Sequence, residues 1–250
     1  MKRALVTGAG QRLGRAMALY LADRGYDVGV HYATSAEGAE DVVRLIEGLG
    51  RRAVALQADL LDDAATRDLL PRAVKALGGP ITCLVNNASI FEHDTVHTAT
   101  DESWEKHIGS NLRAPFLLTQ AMAAQGLEAE TDTAGEPRAV GLILNMVDQR
   151  VRNLTPEFMT YTIAKMGLWA MTRTTAQGLA PAIRVNAIGP GPTLQAEGQT
   201  QENFDRQRSK TVLKRGSNPE DITAALGYFL DAPAITGQLI CVDGGQHLEY

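Results

Sequence analysis

Short runs of β-branched and aliphatic residues alternate along the whole chain with longer amphipathic stretches, and this alternation constrains the fold more than any other feature of the sequence. An uninterrupted apolar run suits a strand buried on both faces, whereas apolar positions three and four apart suit helices that cover those faces. Strands are expected at 4–7, 27–32, 53–57, 81–86, 139–146, 183–188 and 238–242. Helical periodicity fits 12–24, 36–49, 63–77, 102–125, 157–179 and 219–230, with glycine just past several of these ends as a stop signal. Seven strands separated by helices predict one α/β domain over residues 1–250, built on a doubly wound, seven-stranded parallel sheet.

Composition narrows what such a domain does. The chain is 44% hydrophobic and 21% charged, enough to bury a sizeable core, and no apolar run approaches the length of a membrane span. A net charge of -5 without a basic stripe argues against nucleic-acid binding and leaves small-molecule work. Cys83 and Cys241 lie far apart in apolar stretches, so they are expected as two buried thiols and not as a disulfide or a metal pair. The N-terminal apolar run ends at Gly8, too short for a signal peptide, and a cytoplasmic location is expected. His93 and His97 are four apart but fall in a loop without a third ligand, so no metal is expected. Two polar segments depart from the alternation, 127–138 and 193–214. The second adjoins the carboxyl end of a strand, where ligands of open α/β sheets bind, and is read as a lid or as a solvated surface loop.

Gly8, Gly10 and Gly14 mark the turn between the first strand and the first helix, where backbone can approach a pyrophosphate at a helix N-terminus. The spacing is not the usual G-x-G-x-x-G of a Rossmann domain, and tight strand-to-helix packing is the alternative. An NAD-binding domain normally carries a carboxylate at the end of the second strand; here the chain reads His31, Tyr32, Ala33, Thr34, Ser35. With no carboxylate to repel a 2′-phosphate, and with Arg12, His31, Thr34 and Ser35 as donors, NADPH is favoured over NADH. Asp59 either accepts from the adenine amino group or caps the following helix.

Tyr161 and Lys165 are four apart in a helical stretch and so share one face. A neighbouring ammonium favours phenolate, so Lys165 is expected to lower the tyrosine pKa toward neutrality.

Taken in order, Thr7-Gly8 with Gly14, Asp59, Asn86-Asn87-Ala88, Asn111, Tyr161 with Lys165, Arg184-Val185-Asn186 with Pro190-Gly191, and Val242-Asp243-Gly244-Gly245 make the chain similar end to end to the short-chain dehydrogenase/reductases. The resemblance implies that Tyr161 is the catalytic acid or base. It implies further that Lys165 tunes Tyr161 and holds the nicotinamide ribose, and that Asn111 organises a water relay. Gln11, Leu13, Leu60, Asn87, Ala88, Ser89, Pro190 and Gly191 would then line the cofactor with the residues already named.

Two departures from the family pattern point further. Arg12 stands where the family turn usually has glycine, and Asp148 where the catalytic serine usually lies, thirteen residues before the tyrosine. Both changes resemble the pteridine reductases, as do Gly10-Gln11-Arg12-Leu13-Gly14, His31-Tyr32 with Ser35, Ser89 with Phe91, and Asn145-Met146-Val147-Asp148. Reducing a C=N bond requires a proton for nitrogen as hydride reaches carbon, and a carboxyl beside Tyr161 suits that task. By resemblance Phe91 stacks on a pterin or folate, with Arg12, Ser89, Asp148 and Tyr161 around it, and helices 102–125 and 157–179 form a homotetramer. The remaining readings are a carbonyl or 3-oxoacyl reductase of the same family, and a non-catalytic dinucleotide sensor.

Overall fold

The computed structural model describes residues 2–196 and 198–249; Met1 and Tyr250 at the ends of the expected domain, and Glu197 in the expected lid, lie outside the described residues. The chain runs β1 (Arg3–Val6), α1 (Arg12–Asp23), β2 (Asp27–Tyr32), α2 (Ala36–Gly48), β3 (Ala53–Gln57), α3 (Asp63–Leu77) and β4 (Cys83–Asn86). It continues through α4 (Asp101–Ile108), α5 (Ala114–Ala123), β5 (Glu130–Thr131), β6 (Pro137–Arg138), β7 (Gly141–Met146), α6 (Met159–Gly178), β8 (Ile183–Pro190), α7 (Gln201–Lys210), α8 (Pro219–Asp231) and β9 (Leu239–Val242). Seven strands pair in the order β3-β2-β1-β4-β7-β8-β9, every pair parallel. This is the doubly wound Rossmann sheet expected from the alternation.

Burial explains the legibility of the strands. β4 and β7 are buried at every position, because helices cover both faces of a parallel sheet. On one face Met17, Ala18 and Leu21 of α1 and Ala39, Val42 and Ile46 of α2 pack with Ile222, Leu226 and Phe229 of α8. On the other, Leu69, Leu70 and Leu77 of α3 pack with Leu118 and Met122 of α5. The chain leaves β1 toward β2 on one side and reaches β4 on the other, so a crevice opens beyond the carboxyl ends of β1 and β4.

Departures from the expected elements are local. The stretch 102–125 is not one α-helix: Gly109–Arg113 forms a π-helical turn, with Ala114 N–H bonded to the Gly109 carbonyl, between α4 and α5. Beyond α5, Gln125 accepts from the Ile81 N–H at 2.8 Å and donates to the Ile81 carbonyl at 3.1 Å, holding the approach to β4. Segment 127–138 carries the small β5-β6 hairpin, outside the main sheet. Segment 193–214 contains α7, which buries no residue. Cys83 is buried but Cys241 only half-buried, because β9 is an edge strand, so the expectation of two buried thiols holds for Cys83 alone. No described helix is long and apolar enough to cross a membrane.

Candidate active site

The crevice is stitched by Thr7 and Asn87. The Thr7 hydroxyl accepts from the N–H groups of Asn87 and Ala88, both at 2.9 Å, and the Asn87 amide donates to the Thr7 carbonyl at 2.8 Å. The turn after β1 and the loop after β4 therefore form one unit. Gly8 has φ +62, and a Cβ on Gly14 would lie 2.1 Å from the Gly8 carbonyl oxygen, so α1 sits on the turn at a distance open only to glycine.

His31 stands differently from the sequence expectation. Its ring is 1% exposed; Nδ1 accepts from the Gly8 N–H at 3.0 Å, and Nε2 donates to the Ala58 carbonyl at 3.1 Å. Burial lowers its pKa to about 4. Both ring nitrogens are spent, so His31 braces the turn and is not a donor for a 2′-phosphate. Arg12, at φ +53, donates to the carbonyls of Gln195 at 2.8 Å and Leu194 at 3.2 Å, tying the turn to segment 193–214. Asp59 accepts from the Leu61 N–H at 2.9 Å, while Asp62 caps α3, so the capping alternative for Asp59 is corrected.

The rest of the expected cofactor set surrounds this turn. Exposed Gln11 precedes α1, half-buried Leu13 lies in its first turn, and no side chain caps that helix. Tyr32 ends β2; exposed Thr34 and half-buried Ser35 lead into α2, where Ser35 makes no capping bond. Leu60 is buried behind Asp59. Pro190 and Gly191 follow the same edge at β8, with Gly191 against Asp243, where a Cβ would come within 2.6 Å of the Asp243 Cβ. Uncapped helix N–H groups and free hydroxyls, with no carboxylate at the end of β2, are a donor set that fits the phosphates of a dinucleotide.

Asp148 follows β7 and opens a short helical turn. One carboxylate oxygen accepts from the Arg150 N–H at 2.8 Å, the other from the Tyr161 hydroxyl at 2.8 Å. Lys165, one turn along α6 and 2% exposed, donates to the Met146 carbonyl at 2.8 Å and lies 5.5 Å from the Tyr161 ring centre. Burial raises the Asp148 pKa and lowers that of Lys165 to about 8. The Tyr161 phenol is pushed well above its ordinary range, by burial first and then by the Asp148 charge. This corrects the expected lowering by Lys165: the group that touches the phenol is the Asp148 carboxyl, and burial with that contact raises the phenol pKa.

Ser89 is exposed at the mouth. Phe91, 45% exposed, stacks on Phe158 with ring centres 4.3 Å apart and meets Tyr161 edge-on at 4.8 Å. Arg150 lies 4.6 Å from the Phe158 ring centre. Asn111, in the π-helical turn, is buried, accepts from the Ile90 N–H at 3.0 Å and donates to the Ile90 carbonyl at 2.8 Å. Its amide thus holds the loop that carries Ser89 and Phe91.

Sequence reasoning missed four residues here. Phe158 was hidden inside an expected helix, although it adopts φ +56 just before α6. Arg150 carried no motif. Buried His107 bonds to the Thr160 hydroxyl at 2.6 Å, while buried Asp94 accepts from the Thr160 N–H at 3.1 Å; together they pin the first turn of the helix that carries Tyr161. His93 pairs with Glu157.

The family model described as Enoyl-(Acyl carrier protein) reductase matches residues 8–247. A 3-oxoacyl-[acyl-carrier-protein] reductase of Staphylococcus epidermidis is 31% identical over 99% of both chains. Among solved structures, alternative dihydrofolate reductase 1 from Brucella canis, complexed with NADP, is 40% identical with TM-score 0.90, covering 100% of this chain and 95% of that one. The corresponding Brucella suis protein, also with NADP, is 40% identical with TM-score 0.91, covering 100% and 96%. The chain belongs to the short-chain dehydrogenase/reductase family of oxidoreductases.

Proposed function

We propose that this oxidoreductase uses NADPH to reduce a C=N bond of a dihydropterin or dihydrofolate. The observation that carries the reading is Asp148 in hydrogen-bond contact with Tyr161, at the place where carbonyl reductases of the family use serine. A serine hydroxyl can stabilise a carbonyl oxygen, whereas a carboxyl whose pKa is raised by burial can stay protonated and deliver that proton to a ring nitrogen.

The uncapped start of α1, Thr34, Ser35 and, once released from the carbonyls of Leu194 and Gln195, Arg12 would hold the cofactor phosphates; Lys165 would hold the nicotinamide ribose. When bound, NADPH supplies the hydride that adds to carbon. Asp148 would give a proton to the adjacent nitrogen and regain one from solvent, with the Tyr161 hydroxyl holding the carboxylate formed in between, so the substrate gains one hydride and one proton. Phe91 presents a ring face to a planar substrate, Ser89 bonds its polar edge, and Asn111 keeps both at the correct height. The NADP complexes of the two Brucella proteins and their dihydrofolate reductase names support this reading. The staphylococcal relative's name favours the second reading, a 3-oxoacyl reductase.

The outer residues of α4, α5 and α6, Trp104, Phe116, Ile163 and Met166, are 38–45% exposed and apolar, which supports a homotetramer assembled through these helices. Two free thiols suit a reducing cytoplasm. Segment 193–214 would act as the lid.

NADPH oxidation with dihydromonapterin, dihydrobiopterin, dihydrofolate and a simple ketone tests the assignment. Asp148→Asn is expected to lower kcat on the preferred pterin by about 10² to 10⁴, with little change in NADPH affinity. Tyr161→Phe is expected to remove most turnover. A wild type that reduces ketones well and every pterin poorly overturns the proposal in favour of the second reading.

A further inference from the structure

We propose that His107 is a positioning residue for Phe91: its neutral imidazole fastens the loop that carries Phe91 to the helix that carries Tyr161, and protonation of the ring unfastens it. The inference rests on the reading of Phe91 as the face that receives the substrate ring.

Phe91 lies between two anchored neighbours. Asn111 bonds both polar backbone groups of Ile90, and His107 Nε2 accepts from the Glu92 N–H at 3.1 Å. His107 lies in the last turn of α4 and Asn111 in the π-helical turn that continues it. One helical run therefore holds the residues on either side of Phe91, and from between them the Phe91 ring meets Tyr161 edge-on.

The other ring nitrogen ties the loop to α6 and fixes the protonation state. Because Nε2 accepts, the neutral ring carries its proton on Nδ1 and donates to the Thr160 hydroxyl at 2.6 Å. That hydroxyl donates its own hydrogen to the Asp94 carboxylate. Asp94 also caps α6 from outside: its carboxylate accepts from the Thr160 N–H at 3.1 Å and its carbonyl from the Met159 N–H at 3.3 Å, where Phe158 offers no side-chain cap. The donors run one way, from Glu92 through His107 and Thr160 to Asp94, and the chain is complete only with a neutral imidazole and an ionised carboxyl. A proton on Nε2 would set that N–H against the Glu92 N–H and leave the cap on α6 intact. The loop is then the part released, and the loss falls on substrate binding.

The charged and titratable groups around the ring are Asp94 and Glu92 on the loop, Lys106 on its own helix, and Lys165 and Tyr161 on α6. Burial, helped by the two ammonium groups, outweighs the two carboxylates and holds the imidazole pKa below its ordinary value, so the ring is neutral at pH 7.

The test is the KM for whichever of dihydromonapterin and dihydrofolate the wild type prefers, measured with kcat on wild type, His107→Leu and His107→Gln. His107→Leu removes both bonds of the ring and leaves Thr160 on Asp94. Its KM at pH 7.5 is expected to rise roughly 3- to 10-fold, the worth of one net hydrogen bond, with kcat changed less than about twofold and NADPH affinity unchanged. His107→Gln offers a carbonyl oxygen to the Glu92 N–H without titrating, and is expected to recover most of the loss. Between pH 7.5 and 4.5 the wild-type KM is expected to rise as the ring takes up its proton, whereas the His107→Gln KM stays level. A parallel NADPH titration separates this rise from any effect of His31 at the cofactor turn. Misfolding lowers kcat per mole of protein without moving KM. A His107→Leu KM within about twofold of wild type, or a His107→Gln KM that climbs in acid as the wild type does, overturns the positioning role and leaves the proposed reaction standing. A wild type inactive on both substrates overturns that reaction, and the role of His107 with it.

Discussion

Acidification should loosen the first turn through one side chain, His31. Its imidazole is neutral, accepts from the Gly8 N–H, donates to the Ala58 carbonyl, and has a pKa of about 4 against an ordinary 6.5. Below 6.5 the unfolded chain takes up a proton at this residue while the folded chain does not, so folding stability is complete above 6.5 and is lost as the pH falls toward 4. The full gap corresponds to about 3 kcal/mol, of which about 2.5 kcal/mol is lost by pH 4.5. His31→Gln offers an acceptor and a donor without titrating in this range. Urea unfolding of both proteins between pH 7.5 and 4.5 should show the wild type losing its advantage by about that amount relative to the variant. Parallel stability curves for the two proteins would refute the argument, because they would mean that His31 titrates alike in the folded and unfolded chains.

Lys165→Met should trade turnover for stability. The buried ammonium, with its pKa lowered to about 8, burdens the fold fully below pH 8 and progressively less up to 10.5, so replacement should gain about 2 kcal/mol at pH 7 after the lost bond to Met146. Calorimetry on cofactor-free protein should register roughly 4 to 8 °C in Tm at pH 7 and little at pH 10.5, while activity disappears. Gly14→Ala places a methyl group 2.1 Å from the Gly8 carbonyl oxygen and 2.7 Å from the Asn87 amide nitrogen. It should cost about 1 to 3 kcal/mol in stability and weaken NADPH binding, read by thermal unfolding and by cofactor fluorescence titration.

The strands were legible in the sequence because burial on both faces leaves uninterrupted apolar runs. The π-helical turn was not. Buried His107, Asn111, Pro115, Leu118 and Met122 keep helical spacing straight through it, so the stripe carries no mark of the extra residue. At the site, ordered motifs located Asp148, Tyr161, Lys165 and Asn111, but their contacts depend on distance in space. Lys165 is visible from Tyr161 as a neighbour four residues along, whereas the closer effect of Asp148 appears only when β7 and α6 are brought together. His31 was read as a donor from its position at the end of the second strand; a strand buried on both faces gives no sequence cue to which face a side chain occupies.

The two side-chain amides that grip β4 have a mechanical consequence. Asn111 bonds both polar groups of Ile90 beyond the strand, and Gln125 bonds both polar groups of Ile81 before it. Each amide imitates one rung of a peptide ladder, so the central strand is clamped at both ends by the segment that runs antiparallel to it from the π-helical turn through α5 to Gln125 just beyond. Sliding along the strand axis would break both rungs together, and inserting one helical turn between the clamps would mismatch them by about 5.4 Å. The span between Asn111 and Gln125 therefore acts as a ruler, and it sets how far Ser89 and Phe91 project toward Tyr161.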